Sequence, residues 1–422
     1  MTTVLTALTH RHEAEFVEVM GEAPGLTLVR RCADLAELLS TGAAGAARVA
    51  VVSPDLRGLD RDALRHLAGH GVRVAGLVAP ADEEGERRLR QLGVATVLHP
   101  DDAPDTVAAA LTALAGATTS RPAVDDDPAE DPTLAVPDPA RPTPVTVVWG
   151  PTGAPGRTTV AVTVAASLAA AGVRTLLVDL DTWGASVAQV LGLVDEAPGV
   201  AAAARASEQG ALDVPALARL APEALPGLRV LTGLPRADRW PELRTAAVED
   251  ILRLARGIVD HVVVDVGFAL EDDEELSYDT AAPRRNAATL TALEAADHLV
   301  VVGAADPVGL QRLVRAVQEV ALVASPTPLV VVNKVRASAA GARPERTIRD
   351  VLARFAGLEE VRMLPWAPED CDEAVLGGRA LTEVRARGGL TLALGALAAE
   401  LDPRCPDAAA VSRHGRRRRA AV

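Results

Sequence analysis

Apolar runs separated by stretches with helical spacing set the rhythm of this chain. In its first part, runs at Val4 to Leu8, Val49 to Val52, Val72 to Val78 and Ala95 to Leu98 alternate with amphipathic stretches such as Asp62 to Ala68 and Glu84 to Leu92. That alternation predicts a doubly wound parallel sheet over residues 1–117. The pattern then lapses. Residues 118–143 are crowded with Pro, Asp and Ala, with too little apolar periodicity to bury, and predict an acidic, Pro-rich linker. Beyond it the runs return in a more uniform form: Val145-Thr-Val-Val148, Thr175-Leu-Leu-Val178, His261-Val-Val-Val264, Leu299-Val-Val-Val302 and Leu329-Val-Val-Val332. Strands of this kind, apolar at nearly every position, are covered on both faces, so a second α/β domain is expected over residues 144–404. A basic tail over 405–422, ending in Arg416 to Arg419, is expected to be disordered.

Composition narrows what such a chain can do. With 57 acidic against 43 basic residues and a net charge of -14, broad affinity for nucleic acid is not expected. No apolar run is long enough to span a membrane, and Glu13, Glu15 and Glu18 stand where a secretory leader would be basic and then apolar. Cys32, Cys371 and Cys405 lie far apart without metal-ligand spacing, which fits a reduced, cytoplasmic setting. Lys334 is the only lysine; apart from histidine, every other basic residue is arginine.

That bias bears on the segment with the most chemistry. After the run ending at Trp149 come Gly150-Pro-Thr-Gly153-Ala154-Pro155-Gly156-Arg157-Thr158-Thr159 and an apolar helical stretch. Strand, tight turn and helix in this order form a phosphate cradle, in which backbone N–H groups and the helix N-terminus hold an anion before any side chain acts. Thr158 is placed to ligate magnesium. Against the pattern G-x-x-x-x-G-K-[ST], Pro151 replaces the first glycine and Arg157 the lysine. Alone, the loop also fits an ordinary strand-to-helix turn. Two further strand ends change the balance: Val178-Asp179-Leu180-Asp181 and Val263-Val264-Asp265 deliver carboxylates to the sheet edge where ligands bind in open α/β folds.

The order of loop, Asp179-x-Asp181, Asp265, Ala295-Ala-Asp-His-Leu-Val-Val-Val302 and Leu329-Val-Val-Val-Asn333-Lys334 resembles the deviant Walker A ATPases of the MinD/ParA class, over roughly residues 145–400. The resemblance implies a P-loop fold with a mostly parallel sheet, ATP and Mg²⁺ as cofactors, and a homodimer. It also implies roles by position. Gly153, Ala154, Pro155, Gly156, Arg157, Thr158 and Thr159 would cradle the phosphates. Thr158 would bind magnesium, with Asp265 acting through water and Asp179 behind them. Asp181 would orient the attacking water, with Arg157 as the catalytic cation. Asn333 and Pro365 would hold the base.

The first part resembles a response-regulator receiver domain of flavodoxin-like fold, but Ser53 stands at the end of the strand that carries the phospho-acceptor, Thr9 and His10 replace the acidic pair, and His99 replaces the lysine. Without clustered carboxylates, acyl-phosphate chemistry is not expected, and the domain reads as a pseudo-receiver used for contacts. Asp55 is read as a solvated loop residue, with a displaced acceptor as the alternative. A degenerate receiver joined to such an ATPase is similar to the CpaE/TadZ branch, which places Flp-type pilus machinery, and to its septum-site relatives. The implied partners are pilus or cell-division proteins, with recruitment to a pole, septum or inner membrane face through a partner or a weak tail contact.

The departures leave two functions of different class open. One is a slow ATPase switch, because the family's signature lysine at the start of the loop is Thr152 here and a guanidinium cannot act as a compact point charge. The other is a pseudo-ATPase scaffold without turnover. Chromosome or plasmid partitioning is a third and weaker reading, since it needs a nucleic-acid surface.

Overall fold

In a computed structural model of the 422-residue chain, the described residues are 1–9, 13–116, 143–153, 155–193, 198–272, 283–405. The expected linker, except Thr143, and the expected tail, except Cys405, lie outside them, as do His10 and Ala154. The chain divides into two compact units, each built on its own sheet.

In the first unit, strands β1 (Thr2–Ala7), β2 (Leu26–Arg31), β3 (Val49–Val52), β4 (Arg73–Leu77) and β5 (Thr96–Leu98) form a parallel sheet in the order β2-β1-β3-β4-β5. The two-residue period of a strand sends neighbouring side chains to opposite faces. Leu5, Ala7, Ala50 and Val52 therefore join one core with Leu38, Leu67 and Leu89, while Val4, Val49 and Val51 join the other with Phe16, Val107 and Leu111. The helices start where aspartates cap them: Asp60 accepts the Ala63 N–H at 2.8 Å and Asp82 the Gly85 N–H at 2.9 Å. At the carboxyl edge, Ser53 is buried and its hydroxyl accepts the Thr9 N–H at 3.2 Å. The Thr9 hydroxyl donates to Asp55 at 3.0 Å. Asp55 is exposed, as the solvated-loop reading has it, and takes this one hydroxyl partner.

The second unit is a larger sheet of eight strands: β6 (Val145–Trp149), β7 (Thr175–Leu180), β8 (Glu223–Leu225), β9 (Leu228–Leu231), β10 (His261–Val266), β11 (His298–Ala304), β12 (Pro328–Val335) and β13 (Arg362–Pro365). Their order is β13-β12-β11-β6-β10-β7-β9-β8, parallel throughout except for the β8–β9 edge pair. β6, β7 and β10 are buried at every position. The helix Arg157–Ala170 follows β6 and is apolar nearly all round, because it is enclosed by the sheet and by the helix Gly389–Leu401. Register then decides the site. Asp265 pairs with Val148 on one neighbour and Asp179 on the other, so the loop after β6 and both carboxylate-bearing strand ends open onto one edge.

Candidate nucleotide site

The loop between β6 and the helix Arg157–Ala170 turns on glycines. Gly153 (φ +106°) and Gly156 (φ +101°) adopt left-handed backbone that an L side chain resists. Gly150 passes so close to the Val302 carbonyl that a Cβ there would collide with it. Gly156 is also the helix N-cap, and no side chain caps the helix behind it. The first-turn N–H groups therefore face the loop without a protein acceptor from the cap, as an anion cradle requires.

Around this cradle the carboxylates take different positions. The Thr158 hydroxyl donates to Asp265 Oδ2 at 2.6 Å and lies 3.3 Å from the Ser186 hydroxyl. Asp265 is fully buried, and its Oδ1 has no hydrogen-bond partner. Burial, with Asp179 and Asp181 adding their charge, pushes its pKa well above the usual carboxylate range, against the Thr158 hydrogen bond and Arg157. Asp179 is largely engaged with the backbone: it accepts the N–H groups of Asp181 (3.1 Å), Ser186 (3.0 Å) and Val187 (3.0 Å). Desolvation raises its pKa to about 6. Its work in the fold is to hold residues 181–187 as a loop. Asp181 takes the N–H groups of Trp183 (2.9 Å) and Gly184 (3.0 Å) on one oxygen and turns the other toward Arg157.

Arg157 lies inside the loop. Its Nη1 donates to the Gly150 and Pro151 carbonyls, each at 3.2 Å, and its Nη2 meets Asp181 Oδ2 at 3.4 Å, while Nε is buried without a partner. Asn333 and Pro365 stand at the ends of β12 and β13. Asn333 is buried, its amide donates to the Pro155 carbonyl at 2.8 Å and its oxygen accepts the Lys334 N–H at 2.8 Å. The base-contact residue of the sequence reading is thus engaged with the phosphate loop. Pro365 is exposed beside Trp366, whose ring has the Arg336 guanidinium at 5.2 Å and the Lys334 ammonium at 5.7 Å. Thr159 sits half-buried on the first helical turn.

Three contributors had no sequence signal. Ser186 closes on Thr158 only because Asp179 folds the intervening loop back. Arg285 stacks on Trp183 at 3.8 Å from its ring centroid and donates to the Thr182 hydroxyl at 2.9 Å. Arg312 donates to the Thr152 carbonyl at 3.3 Å from 160 residues away. In an arginine-rich chain, neither arginine belongs to a motif that would single it out.

The donor set suits a nucleotide with magnesium. Among the described residues no group of three His, Cys, Asp or Glu side chains could enclose a metal ion. One hydroxyl, one buried carboxylate with an unused oxygen and an uncapped helix N-terminus instead match an octahedral cation that keeps waters and takes phosphate oxygens.

A family comparison covers the loop and the strands beside it. The family described as the CobQ/CobB/MinD/ParA nucleotide binding domain matches residues 146–374, more than half of the chain. The chain belongs to that family. Among solved structures, a ParA family ATPase from Chlorobium tepidum TLS superposes with TM-score 0.50 and 18% identity, covering 61% of this chain and 98% of that one. The septum site-determining protein MinD of Pyrococcus horikoshii OT3, complexed with Mg-ADP, gives TM-score 0.47 and 18% identity over 62% of this chain and 96% of that one. The cell division ATPase MinD of Pyrococcus furiosus gives 0.48 and 17% over 61% and 98%. No curated protein sequence matches the chain. The second unit thus carries a MinD/ParA-type P-loop domain, and the matched range 146–374 includes the loop, Asp179, Asp181, Asp265 and Asn333.

Proposed function

We propose that the protein is an ATP-binding positioning switch with slow hydrolysis, acting on pilus or septum machinery as a nucleotide-dependent homodimer, and that residues 1–117 serve it as a pseudo-receiver contact module. One observation carries the nucleotide reading: the buried Asp265, bonded to Thr158 through one oxygen and unpartnered on the other, beside an uncapped helix N-terminus. A carboxylate buried this way is costly to keep without a cation to meet it. Gly153 to Thr159 would cradle the phosphates; Thr158 and, through water, Asp265 would hold magnesium, with Asp179 fixing the loop behind them. Bound magnesium would neutralise charge on the phosphates and align them for attack by water.

Slow turnover follows from what surrounds Asp181. To orient a water it needs the oxygen that Arg157 faces, and Arg157 fills the cradle that a lysine would line with a smaller head group. The planar guanidinium, bonded to the Gly150 and Pro151 carbonyls, would crowd a polyphosphate there. That same plug favours a second reading, a pseudo-ATPase scaffold whose loop stays closed. No helix among the described residues is long and apolar enough to cross a membrane. Recruitment to a pole or septum is assigned to a partner protein or a weak contact of the basic tail.

The test is Mg-ATP binding measured beside steady-state hydrolysis for the native chain and Arg157→Lys. One well-placed electrostatic contact is worth about a hundredfold in rate, so binding with slow turnover, raised about ten- to a hundredfold in the lysine variant, is the expected result. Absence of binding in both chains would overturn the switch and leave the scaffold.

A further inference from the structure

The loop has a cation on its outside as well as its inside. Arg312 lies on the second turn of the helix Pro307–Val320, which starts after β11, the strand hydrogen-bonded to β6 on the side away from Asp265. Asp306 caps that helix by accepting the Gly309 N–H at 3.0 Å, which fixes where the second turn falls. From there the guanidinium reaches the crest of the loop and meets the Thr152 carbonyl at 3.3 Å. Gly153 makes room for it. A Cβ at that position would fall on the Arg312 Nη1, so glycine there serves the guanidinium as well as the positive φ.

The remaining donors of Arg312 are unspent. Among the described residues no carboxylate pairs with it, whereas Arg157, Arg174, Arg362 and Arg404 all have acidic partners. An exposed guanidinium held over a glycine turn by one backbone bond can rotate its other N–H groups toward an anion in the cradle at little cost. The position on the loop says which part of the anion. In a P-loop, the residue just before the Ser/Thr reaches the β- and γ-phosphates, and here that residue, Arg157, ends against Gly150 and Pro151. The start of the loop is therefore its terminal-phosphate end, and Arg312 stands over the next two residues.

We propose that Arg312 is a phosphate-binding residue that contacts the terminal phosphate of a nucleoside triphosphate within the same chain, supplying the charge that Thr152 does not. The proposal rests on the nucleotide reading above and adds a prediction of its own, discrimination between triphosphate and diphosphate. The experiment is titration of the full chain with Mg-ATP and with Mg-ADP, for the native protein, Arg312→Ala, Arg312→Lys and a neighbouring control, Gln311→Ala. A charge-assisted contact to phosphate corresponds to about tenfold or more in affinity. Arg312→Ala is expected to lose about tenfold for ATP and less than about threefold for ADP. Arg312→Lys should recover part of the ATP loss, and Gln311→Ala should change neither ligand. Equal effects on both nucleotides, or none on ATP, would overturn the proposal while leaving the nucleotide site intact. No binding of either nucleotide by the native chain would overturn both. Thermal unfolding should be the same for all four proteins, since one exposed bond is at stake, and a large loss of stability in Arg312→Ala would make it a structural residue.

Discussion

β10 carries a buried polar cluster at each of its ends, and the two are built on opposite terms. At its start, His261 is fully buried, with Nδ1 on Asp402 at 2.8 Å and Nε2 on the Thr146 hydroxyl at 2.9 Å. Asp402 in turn accepts Arg404 side-chain donors at 2.9 and 2.6 Å, and Arg404 reaches back to the Asp260 carbonyl at 2.7 Å. Thr, His and Asp in a row could pass for a catalytic triad, but each hydrogen-bonding group is satisfied within the protein and the row is sealed from solvent. Four residues further on, Asp265 has an unpartnered oxygen and a loop of open N–H groups beside it. A satisfied buried network is accounted for by the fold alone, whereas an unpartnered carboxylate oxygen beside an open loop is a candidate for meeting something else.

The largest effect expected from this contrast is on stability. Asp402→Ala strips His261 and Arg404 of a shared partner and leaves the ring nitrogen without one, so it should cost about 3 kcal/mol or more in denaturant unfolding. Asp265→Asn removes a carboxyl whose charged form burial and the neighbouring Asp179 and Asp181 disfavour, and should leave stability unchanged or raise it by about 1 kcal/mol while weakening Mg-nucleotide binding more than about tenfold. Equal losses in both variants would erase the distinction between the two ends.

Acid should act through the closed end. Burial pushes the His261 pKa below its ordinary value, against the opposing pull of Asp402. For Asp402, burial alone would raise the carboxyl, but hydrogen bonds from His261 and Arg404 outweigh it and hold the pKa far below the usual range. Both groups bind protons more readily in the unfolded chain. Their stabilisation is complete above the unfolded pKa, about 6.5 for the imidazole and about 3.9 for the carboxyl, and is lost as pH falls through each. Unfolding free energy followed from pH 8 to 5 should therefore contain a part that His261→Gln removes, with a slope of at most about 1.4 kcal/mol per pH unit. An identical pH dependence in the variant would mean that His261 titrates alike in both states.

The same contrast explains what could be read from sequence. The sheet-forming runs of the second unit were legible because parallel strands covered on both faces are apolar at nearly every position, as at Val262 to Val264. β2 was not: as an edge strand it buries only Leu26 fully, and Leu26-Thr-Leu-Val-Arg-Arg31 leaves too weak a pattern. β8 is a three-residue edge strand with the same weakness, and β9, though mostly buried, is only four residues long. At the site, Thr158, Asp181 and Asp265 follow from a motif in chain order. The roles of Asp179 as a loop brace and Arg157 as a plug follow from hydrogen bonds that no spacing encodes. Arg285, in the turn before the helix Ala287–Glu294, and Arg312, on the helix Pro307–Val320, come from segments distant in sequence, visible only once the sheet order places them.

Asn333 offers the smallest effect and the finest test, because it is a satisfied residue at the unsatisfied end. Its amide bonds the Pro155 carbonyl, its oxygen takes the Lys334 N–H, and a Cβ on Gly156 would approach its Nδ2 to 2.5 Å. Lys334 itself holds φ +62°, and the Asn333 oxygen helps fix that left-handed turn. If these bonds define its role, Asn333→Ala should lower stability by about 1 kcal/mol and speed amide exchange across Gly150 to Gly156, without altering the preference for ATP over GTP. The amide has two N–H groups and the loop takes one, so base recognition could use the other. A loss of adenine preference with unchanged exchange in the loop would therefore move Asn333 from the brace of the cradle to the base.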